Sequence, residues 1–140
     1  MNSCTLNELL SLLKEKRFDD FSFREDFAVV YADDIEILFE LSDSGISDEL
    51  ADLAVKVIES LDRCVMLSHK WLENFREDDG LEDGFEINGM YFGKYGCGHQ
   101  QHPLEEGFTI TFAPINFHPC EFTVKFHKNL HPFAVEEYVV

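Results

Sequence analysis

Residues 27–41 read FAVVYADDIEILFEL, and the fold class is decided there. Phe27, Val29 and Tyr31 alternate with smaller residues. Ile35, Ile37, Phe39 and Leu41 alternate with a set that includes Glu36 and Glu40. Side chains alternate between the two faces of a strand, so this period of two predicts strands with one buried and one solvated face. Asp33-Asp34 between the runs supplies the turn of a hairpin, and Asp43-Ser44-Gly45 closes the second run.

Upstream, Thr5 and Glu8 have capping-box spacing, and Leu6, Leu9, Leu10 and Leu13 recur at helical spacing. A short helix is predicted over about residues 5–17. Downstream, Ser47 is placed to cap a long helix over about residues 48–76. Its apolar stripe includes Leu50, Leu53, Ala54, Val57, Ile58, Leu61, Val65 and Leu72, with a break anticipated near Met66-Leu67-Ser68. The last third is rich in strand patterns: Phe85–Tyr95 with Gly89 and Gly93 as bend or bulge positions, Phe108–Phe112, Phe122–Phe126 and an edge candidate at Phe133–Val139. The expected fold is a single α+β domain over residues 1–140. An antiparallel sheet of about five or six strands packs on one long helix, with a short N-terminal helix added.

Charge narrows the function. The 140 residues hold 28 acidic and 11 basic side chains, a formal charge of −17. Twelve of the acids lie in residues 18–54 against one base, Arg24, whereas residues 87–140 hold five acids and three bases. Such a field repels nucleic acid and anionic lipid and attracts basic partners. Fourteen phenylalanines and 45 % hydrophobic residues provide a core, so the charge does not signal disorder. No secretory leader is read at Met1–Cys4, and no apolar run approaches the ~18 residues that cross a bilayer. Cys4, Cys64, Cys97 and Cys120 are widely spaced. The expectation is a cytoplasmic protein with reduced thiols, away from the membrane.

Cys97, His99 and His102, with His118 and Cys120 one strand later, bring thiol and imidazole donors within reach of one loop. Zinc would suit that donor set, although the spacing matches no zinc-finger or His-Glu-x-x-His pattern. A thiolate at Cys97, activated by His99 or His102 and oriented by Glu105 or Glu106, is the corresponding enzyme reading. The plainer reading is a polar surface loop. Glycines at 93, 96 and 98 flank Lys94 without the Gly-Lys-Ser/Thr ending of a phosphate loop.

With no catalytic constellation apparent, the leading expectation is a non-enzymatic binding protein for a basic protein partner. Asp19, Asp20, Asp33, Asp34, Glu36, Glu40 and Asp43 are its candidate contacts, with Phe18, Phe21 or Phe23 as an apolar anchor. A homodimer through the edge strand Phe133–Val139 is compatible with this. Ile35–Leu41, the helix carrying Leu61-Asp-Arg and Trp71-Leu, and the strands at Tyr91-Phe92 and Phe108–Phe112 resemble small acidic bacterial domains of the hairpin, long helix and sheet kind. Some of those are immunity proteins that block a toxin, often a basic nuclease, so the resemblance implies an inhibitor of that type.

Overall fold

A computed structural model describes residues 3–73, 84–95, 105–115 and 120–139. The chain runs β1 (Ser3–Cys4), α1 (Leu6–Lys14), β2 (Ser22–Phe23), β3 (Phe27–Ala32), β4 (Ile35–Glu40), α2 (Asp48–Glu59), α3 (Leu61–Leu72), β5 (Phe85–Tyr95), β6 (Glu105–Pro114), β7 (Cys120–His127) and β8 (Pro132–Val139). The strands form one sheet in the order β1-β3-β4-β5-β6-β7-β8, with β2 also on β3.

Asp33 and Asp34 have φ of 48° and 66°. Positive φ at both central residues is the two-residue turn whose twist matches a hairpin. It places Ala32 opposite Ile35 and so pairs Val30 with Ile37 and Ala28 with Phe39. Asp33 also ties the hairpin to α1. Its N–H donates to the Cys4 carbonyl at 2.9 Å, and its carboxylate accepts from Leu6 N–H at 3.0 Å. The Thr5–Glu8 capping box satisfies two further amides of the same helix end. Asp33→Ala should therefore cost about 1 kcal/mol, within the range of lost helix caps. A thermal melt of Asp33→Ala that overlays the wild type would refute the cap.

The sheet corrects two expectations. Among the described residues it has eight strands in place of five or six, and it is mixed: β1–β3 and β4–β5 are parallel. Between β4 and β5 the chain crosses over through α2 and α3, and a crossover returns the next strand in the same direction. The two-residue strands β1 and β2 are too short for any periodicity. They divide the outer edge of β3, at Tyr31-Ala32 and Ala28-Val29 respectively, and so protect it. At the far end β8 is the edge strand.

The single long helix is also corrected. It is two helices that meet at Ser60 (φ −116°, ψ 23°), well before Met66. Ser60 supplies no side-chain cap to α3. Ser68, near the anticipated break, stays inside α3 and returns its hydroxyl to the Cys64 carbonyl at 2.8 Å. The break lets α2 pack on α1 and β5 while α3 packs on β7 and β8. The predicted cap at Ser47 is present, accepting from Leu50 N–H at 3.1 Å.

The three described helices contribute to one core with the strands. A row of register partners, Phe39, Phe92, Phe108 and Phe126, crosses β4 to β7 beneath them. Their rings stack in sequence with centroids 5.2, 5.8 and 4.6 Å apart, and Phe21 and Phe18 extend the run beyond Phe39. In β3 the small residues Ala28, Val30 and Ala32 are the ones that share this face. The larger Phe27, Val29 and Tyr31 lie on the opposite face, because the turn register ties them to Glu40, Leu38 and Glu36.

Candidate functional site

The sheet face away from the helices is built by the same alternation that buries the phenylalanines. By register, one row across it runs Tyr31, Glu36, Gly89, Thr111, Thr123, Glu136. The next runs Val29, Leu38, Tyr91, Thr109, Lys125, Ala134. Phe27 and Glu40 pair beyond them. Carboxylates thus flank a short stripe of Leu38 and Tyr91.

Both tyrosines are held by the acids. Tyr31 donates its hydroxyl to Glu36 at 2.8 Å. The Tyr91 hydroxyl lies 3.4 Å from a Glu40 carboxylate oxygen and 3.2 Å from the Lys94 carbonyl. Tyr91 reaches across Gly93, where a Cβ would come within 2.5 Å of its hydroxyl oxygen and 2.6 Å of Glu40 Cβ. Only glycine leaves room for this arrangement. Burial, then the charge and hydrogen bond of Glu40, push Tyr91 up to about 12. The hydrogen bond and charge of Glu36 chiefly raise Tyr31.

Tyr31, Asp34, Glu36, Leu38, Tyr91 and Glu121 line a groove of about 390 Å³ on this face. Its floor is low because Gly89 and Thr111 are small and neighbouring. A bulge at Ile87/Gly89 turns Asn88 toward the same side, where its amide donates to Glu121. A larger cleft of about 730 Å³ lies between α1 and β3, and two of its polar side chains are engaged. Glu8 closes the capping box and the Cys4 thiol donates to the Tyr31 carbonyl.

Of the seven candidate partner contacts, Glu36 and Glu40 lie on the helix-free face, and Asp34 lines its groove. Asp33 is committed to the α1 end. Asp19 and Asp20 are exposed between α1 and β2, and Asp43 is exposed in the turn that Ser42 and Gly45 close. The ion pairs Lys14–Glu59, Lys16–Asp52 and Arg17–Glu15 belong to the helical layer, and Lys125–Glu136 joins β7 to β8. None of these four takes a carboxylate from the β3–β4 hairpin. Phe21 is buried and Phe18 half-buried against the core, which corrects their expected role as anchors. Phe23 is half exposed at the sheet edge. Phe27, which alternation alone did not distinguish, is exposed directly opposite Glu40.

Cys97, His99, His102 and His118 lie outside the described residues, so only Cys120 of the candidate metal set is placed, half-buried at the start of β7. No helix is long and apolar enough to cross a membrane among the described residues. Compared with known protein families, curated proteins and solved structures, the chain finds no match.

Proposed function

We propose that the protein is a non-enzymatic binding protein whose helix-free sheet face engages a basic protein partner. The observation that carries this reading is the hairpin: Glu36 and Glu40 flank Leu38, Phe27 is exposed beside Glu40, and none of the described ion pairs takes a carboxylate from the hairpin. Charge of one sign beside an apolar stripe raises the association rate through the field and supplies affinity through the stripe. An immunity-type inhibitor of a basic toxin or nuclease is the form of such a binder most in keeping with the charge of −17. Its carboxylates would occupy the cationic surface that a nuclease offers to phosphates.

The test is affinity capture from the native host at about 50 mM salt, where surface charges are weakly screened. Wild-type protein should retain one stoichiometric partner of high isoelectric point and release it as salt is raised. The double variant Phe27→Ala, Glu40→Gln should retain much less. Equal capture by the double variant, or a partner that is not basic, would sink the reading.

A further inference from the structure

We infer that the groove on the helix-free face is the subsite for an arginine side chain of that basic partner. The inference rests on the proposed binding role and names the chemistry of its central contact.

The shape of the groove comes from the rows described above. Gly89 and Thr111 leave a depression between Glu36 and the Thr123 end of the row, and Tyr31 and Tyr91 rise beside it. Asp34, Glu36 and Glu121 bring three carboxylates to its rim. Lys125, the nearest cation by register, is 7 % exposed and bonded to Glu136. Arg24 comes close enough for its charge to act on the Tyr31 hydroxyl, so the three rim carboxylates outnumber it. Charge complementarity therefore selects a cation as occupant.

The tyrosines select its type. A guanidinium is flat, weakly hydrated and stacks on an aromatic face while its edge donates to carboxylates. An ammonium is a compact, strongly hydrated point charge and gains less from a ring. Glu36 is already oriented by the Tyr31 hydroxyl at 2.8 Å, which leaves its remaining lone pairs for an incoming fork of donors. The extended Leu38–Tyr91 stripe alongside would take the aliphatic stem.

Hexa-arginine and hexa-lysine peptides separate the possibilities when titrated into the full chain at about 50 mM salt, with amide shifts followed by NMR. Hexa-arginine should bind about fivefold or more tighter than hexa-lysine, since stacking and bidentate bonding are worth roughly a kilocalorie or more. Its largest shifts should fall at Tyr31, Gly89 and Thr111. Glu36→Gln and Tyr31→Leu should each erase most of the arginine preference without changing the far-ultraviolet circular dichroism. Equal affinities for the two peptides, or shifts confined to residues outside the groove, would overturn the subsite and leave the binding role standing. Failure of both peptides to bind would overturn both.

Discussion

Phe108→Ala should lower the melting temperature by roughly 6–20 °C, the largest effect expected of any single substitution here. Phe108 is fully buried and its ring stacks on Phe92 at 5.8 Å and on Phe126 at 4.6 Å. It lies on β6, inside the sheet, with paired strands on both sides, so the space it vacates cannot collapse easily. Removing a buried phenylalanine costs about 3–5 kcal/mol as lost transfer energy and cavity together. At this chain length each kilocalorie is worth about 2–4 °C. Calorimetry of Phe108→Ala beside Phe23→Ala provides the internal control, because Phe23 is 50 % exposed. The Phe23 variant should move by about 0.5 kcal/mol or less, as surface substitutions do. Similar shifts for the two would mean that the ring ladder does not carry the core.

Glu136→Ala should cost about 2–4 kcal/mol and alter the pH dependence of stability. Lys125 is a strand residue of β7 whose side chain is 9 % exposed, and Glu136 on β8 is its carboxylate partner. Removing one member of a buried pair leaves the other charge desolvated, which costs about 3–5 kcal/mol when both are buried. Glu136 is 30 % exposed, so the expected loss is smaller. Burial alone would raise the Glu136 carboxyl. Hydrogen bonds from Lys125 and Tyr138, and the lysine charge, outweigh it and hold the group below its ordinary 4.5. Its contribution is therefore complete above the unfolded value and is lost as pH falls from about 4.5 through the folded value.

Tyr138 gives the opposite sign. The hydrogen bond to Glu136, then burial and the carboxylate charge, raise it from 10 to about 12. That contribution is complete below pH 10 and disappears as pH rises from 10 to about 12. Denaturant melts of wild type and Glu136→Gln across pH should show a shallower acid limb in the variant. Phenolate absorbance should show Tyr138 ionising closer to 10. Lys125→Met, which replaces the buried charge by an apolar side chain, should cost less than Glu136→Ala. An unchanged acid limb in Glu136→Gln would remove the pair from the stability of the fold.

The pairing of β8 with β7 also bears on self-association. An antiparallel second copy along the β8 edge, in a register centred on Glu136 and Glu137, would set them near their own counterparts, and like charges across a strand pair are unfavourable.

Local sequence was sufficient wherever the determinant was local. The Thr5–Glu8 box, the Ser47 cap, the Asp33-Asp34 turn and the strands around Phe108–Phe112 and Phe122–Phe126 all appear where side-chain spacing places them. Each depends on contacts within a few residues, and such contacts leave a periodic or positional trace. The acidity of the hairpin was legible for the same reason. Tertiary structure decided which face of β3 is inward: alternation separates Ala28, Val30 and Ala32 from Phe27, Val29 and Tyr31, but only the partner strand and the helices choose between them. It decided the two parallel pairings, because strand direction follows the path of the crossover. It also gave the acids different work. Asp33 closes a helix end, Glu136 neutralises a buried lysine, and Glu36 and Glu40 remain on the helix-free face. A carboxylate carries the same formal charge in all three places, and its role follows from the donor that folding brings to it.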